Sequence, residues 1–249
     1  MVLLYIPTVQ NLLRREVTAY ASKATGMQIQ VERIDLRFPL NLLVRGVEVI
    51  QQPDTLLSLE SLNVRVQAWP LLKGKVEVDE VTLSQVAVNS ANLIEGMQIK
   101  GVLGRFFLQS HGVDLSNETA VVNRTELSDT HIQLLMTDTT TTPKDTTASA
   151  PVNWKVNLHQ LKLKNVSFGM KLPADSMKMA AYIGEATIDD AKADLKNQFY
   201  GLKQFLLSGA SASYDTGEAQ PSEGFDASHM AVRNLSLIHI SEPTRRTPI

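Results

Sequence analysis

One short pattern restricts this 249-residue chain more than anything else in it: apolar-x-apolar-x-x-apolar-x-apolar. It runs through Ile29, Val31, Ile34 and Leu36, then Leu42, Val44, Val47 and Val49, then Leu57, Leu59, Leu62 and Val64. Val76, Val78, Val81 and Leu83 make a fourth copy, and Val156, Leu158, Leu161 and Leu163 a fifth. A period of two means extended strands, because side chains alternate faces along a strand. The doubled spacer puts the two halves of each copy out of phase, and an inserted residue at a bulge restores a common face. Gly46 falls where such a bulge would lie in the second copy. A strand break, or a strand buried on both sides, satisfies the same spacing.

Turn signals separate the copies: Phe38-Pro39, Gln52-Pro53-Asp54, Trp69-Pro70 and Lys73-Gly74. Short strands joined by short turns predict an antiparallel meander. Further strand-like segments are Met97 to Gln109, Ala120 to Asn123, His131 to Met136, Trp154 to Phe168, Met177 to Ile188 and Phe199 to Tyr214. Ahead of them, residues 7–25 read as one helix, with Pro7 at its first position and Gly26 as its stop. Val9, Leu12, Leu13, Val17, Tyr20 and Ala24 form its apolar stripe, which is expected to pack on the sheet, opposite Arg14, Arg15 and Glu16. The expected fold is therefore mainly β, an N-terminal amphipathic helix followed by an elongated antiparallel sheet of bulged or bent strands. The first β segment spans 27–136 and the second 152–234. Between them, residues 137–151 hold seven threonines and no large apolar side chain, the composition of a loop.

The ends read differently. Residues 1–6, Met-Val-Leu-Leu-Tyr-Ile, are apolar and fit either a buried turn or the remnant of an N-terminal membrane anchor. Residues 235–245 resemble the translation of a transposase library adapter. The segment 235–249 is accordingly expected to be non-native, with the natural chain continuing past Asn234.

Charge and composition narrow the function. Lys and Arg number 24 against 26 Asp and Glu, so no basic nucleic-acid surface is signalled and no nucleic-acid partner is expected. The absence of cysteine removes disulfides, thiol nucleophiles and Cys-ligated metals. No HExxH, GxSxG or complete phosphate loop occurs, and Gly101-Val102-Leu103-Gly104 lacks the remainder of a nucleotide motif. The acidic pairs Asp79-Glu80 and Asp189-Asp190 read as solvated. No catalytic residue, metal ligand or cofactor is expected, and the chain does not read as an enzyme.

The order of these elements resembles the N-terminal region of TamB-like proteins of the AsmA group, in their Bacteroidota-type versions. The resemblance rests on Ile6-Pro7-Thr8-Val9-Gln10 and its helix, Ala24-Thr25-Gly26, and the strand Gln28 to Pro39. It continues through Leu42 to Val49, the Leu57–Val66 strand and Leu71 to Val78. It implies a curled sheet with an open apolar groove, folded like a taco, that conducts phospholipid between inner and outer membrane. It also implies inner-membrane attachment through one N-terminal helix with the bulk of the chain in the periplasm, and in some members an outer-membrane barrel partner. On that basis the sixteen apolar residues of the first four copies are the candidate lipid contacts. Two alternatives stay open. The same apolar face could be a packed core, and the protein could be a scaffold that assembles outer-membrane proteins by β-strand addition.

Overall fold

Ten strands form one open path and an eleventh, short strand joins it from the side. The computed structural model describes residues 7–38, 40–67, 77–91, 93, 96–114, 118–136, 153–173, 176–216 and 229–237. Helix α1 (Pro7–Thr25) leads into β1 (Gln28–Arg37), β2 (Asn41–Gln51), β3 (Asp54–Val66), β4 (Val78–Asn89), β5 (Met97–Asp114) and β6 (Thr119–Met136). The chain continues with β7 (Lys155–Leu172), β8 (Met177–Asp194), β9 (Phe199–Gly201), β10 (Gln204–Asp215) and β11 (His229–Leu237). The sheet order is β1-β2-β3-β4-β5-β6-β7-β8-β10-β11, with β9 pairing only β8. The two ends of the path do not meet, so the sheet is unclosed.

Every neighbouring pair is antiparallel except one. β6 and β7 run parallel, Thr119 beside Lys155 and Leu135 beside Lys171. The uninterrupted meander expected from the turns therefore stops at β6, where the chain returns to the starting margin before β7 begins. Parallel neighbours need a connection of a dozen residues or more. The threonine-rich segment supplies it, though residues 137–152 lie outside those described. Ala120 to Asn123 and His131 to Met136 prove to be the ends of one strand. Thr125, Ser128, Asp129 and Thr130 hide its middle from an apolar reading.

A second layer is missing among the described residues. α1 packs against β1, and every other substantial contact between elements joins neighbouring strands. Among the described residues only Ile34, Leu40, Leu56, Leu59, Ala186 and Ala210 are buried hydrophobic side chains. Stability must therefore come largely from ladder hydrogen bonds and cross-strand packing of half-buried side chains.

At its C-terminal end α1 does not turn its apolar stripe to the sheet: Tyr20 is 78 % exposed and Ala24 is exposed too, while the side chains of Val9, Leu12, Leu13 and Val17 lie outside those described. Two polar side chains of the helix meet the sheet. Ser22 Oγ accepts from the Ile29 N–H at 3.0 Å, and Arg14 Nη1 donates to the Val31 carbonyl at 2.9 Å. An edge strand presents unpaired backbone groups, and these residues satisfy them. The expected attachment to the inner membrane, and the location drawn from it, are corrected here: no helix among the described residues is long and apolar enough to cross a membrane. α1 has 19 residues but carries Arg14, Arg15, Glu16 and Lys23, whose burial in hydrocarbon is costly. The apolar residues 1–6 lie outside the described residues.

Candidate functional site: an uncovered apolar sheet face

The doubled spacer has a structural cause that spans the sheet. In each of nine strands the pairing lapses and resumes on the same count, at Glu32, Gly46, Glu60, Gln85, Gly104, Asp129, Asn165, Gly184 and Gly209. Between β8 and β10 the lapse is two residues long and takes in Ile183 and Ala210 as well. The nine residues lie side by side, forming a crease across the strands. A bulge in one strand would shift its register against the next, whereas here every strand carries the extra residue at the same level. None of the nine is apolar.

The crease has a direction. Positive φ occurs at Gly46 (57°), Gln85 (49°), Asp129 (52°), Asn165 (53°) and Gly209 (63°), which lie on the strands running one way. Their counterparts on the opposite strands are not among the positive-φ residues. Left-handed backbone favours glycine and tolerates Asn and Asp. Space adds a second demand. A Cβ on Gly46 would stand 2.7 Å from Glu32 Cβ, and one on Gly104 2.6 Å from Asp129 Cβ. At each of these two pairs, a full side chain on one strand is possible because its neighbour has none.

On either side of the crease, apolar residues line up in rows. One row runs Ile34, Val44, Leu62, Leu83, Phe106, Leu127, Leu163, Ala186 and Leu207. Across the crease lie Val31, Val47, Leu59, Val86, Leu103, Thr130, Val166 and Ile183. Outside them run a row from Leu36, Leu42, Val64 and Val81 to Ile188 and Phe205, interrupted by Thr125, and one from Ile29, Val49, Leu57 and Val88 to Phe168 and Ala181, interrupted by Gly101; the inner row beyond the crease holds one polar residue, Thr130. In β1 burial follows the rows: the exposed doublet Glu32-Arg33 separates half-buried Ile29 and Val31 from Ile34 and Leu36. β7 alternates in the same way only as far as Lys164, and Val88 of the outer row is exposed. Nine strands about 4.8 Å apart make this face roughly 38 Å long.

The candidate residues from the first three copies all fall in these four rows, as do Val81 and Leu83. Val78 pairs with Val66, one row beyond Val64 on the same face, across a register shift at Arg65/Val66 that leaves Asp79 as the extra residue. Val76 lies outside the described residues. In β4 the residues completing the rows are Val86 and Val88, one spacer further along. Several row members went unread in the sequence: Leu103 and Phe106, Val166 and Phe168, Ile183 and Ile188. The same doubled spacer marks them, in Leu103-x-x-Phe106 and Leu163-x-x-Val166 and Ile183-x-x-Ala186, once alanine is admitted as apolar.

Strands β6 to β8 carry a second lapse six residues from the first, from Asn123 to Asp129, His159 to Asn165 and Gly184 to Asp190. His159 Nδ1 lies 3.1 Å from Asp190 Oδ1, and Lys203 Nζ donates to Asp190 Oδ2 at 3.4 Å. The His159 hydrogen bond, then that of Lys203, hold the Asp190 carboxyl below its ordinary range. This exposed cluster is an ion-pair site. No group of three His, Cys, Asp or Glu that could hold a metal occurs among the described residues. Compared with known proteins, the chain matches no family model and no curated sequence.

Proposed function

We propose that this chain is a non-enzymatic, lipid-handling segment of the bacterial envelope, as its resemblance to TamB-like proteins implies, and that its creased apolar face carries phospholipid acyl chains between membranes. In this reading the creases bend the sheet about its strands so that the four rows line an open groove. The observation that carries the proposal is an apolar row unbroken across nine strands from Ile34 to Leu207, flanked by rows interrupted only at Thr130, Thr125 and Gly101, with no second layer over them among the described residues. Monomers rarely leave so large an apolar surface uncovered unless it binds something.

The energetics suit such a role. Exposing hydrocarbon costs about 0.8 kcal/mol per CH₂, so a sixteen-carbon tail costs on the order of 12 kcal/mol in water. A carrier lowers that cost only if shielding is unbroken along its path. Half a bilayer core is about 15 Å, well within the roughly 38 Å of apolar face.

The test is mass spectrometry of organic extracts of the protein purified in mild detergent. Near-stoichiometric phospholipid is expected, and its loss in Val44→Asp, Val47→Asp or Leu62→Asp with secondary structure retained. Lipid-free wild-type protein would sink the proposal. A second reading, a scaffold acting by strand addition, draws on the asymmetry of the edges. β1 is covered by α1, while the outer edge of β11 has no partner strand among the described residues. Capture of unfolded β-barrel strands without lipid would favour it.

A further inference from the structure

Methionine is unevenly spread over this sheet. The chain has eight methionines, and none of them stands in the four apolar rows. Five, Met97, Met136, Met170, Met177 and Met179, meet at one margin of the long strands, where β5 and β8 begin and β6 and β7 end. Each lies an even number of residues beyond Gly101, Ile132, Phe168 or Ala181 of the outer row, so all five share the apolar face. Met97 faces Met136 and Met170 faces Met179, with Met177 two residues along the same strand. Met170, Met177 and Met179 are half-buried.

An apolar face alone does not call for methionine here. Strands favour β-branched and aromatic side chains, and the four rows are built mainly from these and leucine. Methionine adds a flexible arm and a polarizable thioether sulfur. Soft sulfur donors select Cu(I), whereas hard cations prefer oxygen. No cysteine is present to compete.

The spacing suits one ion. Antiparallel partners stand about 5 Å apart, and residues two apart along a strand about 7 Å. The Cα atoms of Met170, Met179 and Met177 therefore mark a right-angled triangle whose corners lie about 4 Å from a common centre. Unbranched side chains with three rotatable bonds can turn all three sulfurs over that point. Leu172, which faces Met177, fills the fourth corner with hydrocarbon. Met97 and Met136 lie beyond it on β5 and β6, outside the triangle. Lys171 and Lys178 alternate with the methionines and project from the opposite face, where Lys178 is registered with Asp215. No charged side chain of β7 or β8 thus enters the triangle.

We infer that Met170, Met177 and Met179 form a binding site for one soft monovalent cation, Cu(I). The site does not depend on acyl chains occupying the rows.

The experiment titrates the full chain, its methionine methyl groups labelled with carbon-13, with Ag(I), a redox-inert counterpart of Cu(I), and follows it by NMR. Saturation at one ion per chain is expected, with shifts at Met170, Met177 and Met179 and none at Met27. Cu(I) affinity, read without oxygen by competition with a chelator, should fall at least about tenfold in Met170→Leu/Met179→Leu. That exchange removes sulfur while conserving volume and apolarity. Met27→Leu should change nothing. Should the double variant fail to fold, Leu172→Met places a sulfur at the fourth corner and should tighten binding several-fold. Absence of saturable Ag(I) uptake, shifts spread over all eight methyls, wild-type affinity in the double leucine variant, or no gain in Leu172→Met each overturn the inference. Equal affinity for Zn(II) would place the ion on other ligands and overturn it too.

Discussion

The two halves of the sheet solve the same problem at different lengths. β1 to β4 have 10, 11, 13 and 12 residues and carry one full crease. β5 to β8 have 18 residues each, and β6 to β8 add the second lapse at Asn123, His159 and Asp190. The difference is one six-residue unit: two apolar residues on one face, their polar neighbours on the other, and a doubled spacer. A strand of this protein lengthens by whole units, so each extension brings its own bend and keeps its apolar residues on the common face. The short half is sealed at its edge by α1.

The largest expected contrast between the halves concerns lipid. Leu62→Asp and Leu163→Asp place a charge in the same row, one in each half. If acyl chains occupy the whole face, each variant should lose most co-purified lipid, on the order of tenfold, as read by extraction and mass spectrometry. Loss in Leu163→Asp alone would restrict the cargo to the long half.

Next in size is the crease. Gly104→Ala places a methyl against Asp129 Cβ at 2.6 Å and should cost about 1–3 kcal/mol in urea denaturation. The double variant Gly104→Ala/Asp129→Gly should recover only part of it, because the carbonyl oxygens of Asp129 and Ser128 still stand 3.0 and 3.1 Å from the methyl. Gly169→Ala, whose new methyl would meet only Gln133 Cγ at 4.0 Å, should be near neutral by comparison. Equal costs at 104 and 169 would show that the crease imposes no packing demand.

At the sealed edge, Ser22→Ala removes the acceptor for the Ile29 N–H and should cost about 1 kcal/mol. Faster hydrogen exchange should appear at Ile29 and not in β8. The smallest effect belongs to Asp190. Its folded-state pKa lies below the ordinary value, so its stabilising contribution is complete above about pH 4–5 and fades as pH falls through the folded value. Melting temperature followed downward from pH 5 should fall less steeply in Asp190→Asn than in wild type. Identical slopes would mean the cluster is fully screened.

Strand content and helix α1 were legible because period two and the Pro7 and Gly26 signals are local. The doubled spacer was legible too, but not its meaning, since one strand cannot reveal that its irregular residue lies level with those of its neighbours. In β4 the spacer Asp79-Glu80 sits at a bulge of its own, which keeps Val78 on the face of Val81, while the crease passes through Gln85. In β8 and β10 alanine stands where leucine stands elsewhere, which hid Ala186 and Ala210 although both are buried. The parallel pair β6–β7 left no local trace, because direction depends on where the returning chain docks. The contacts of Arg14 and Ser22 with the β1 backbone left no trace in the apolar stripe of α1, because they answer unpaired groups on a strand edge.

The one-way character of the crease has a consequence for how such a molecule can grow. Left-handed backbone recurs on alternate antiparallel strands, so a duplicated hairpin inserts one strand of each kind and preserves the alternation. A single added antiparallel strand would break it. Length along the ribbon is thus gained in steps of about 10 Å, two strand spacings at a time. The side-by-side positive-φ residues Asp129 and Asn165 mark the one join where two such series meet head to head.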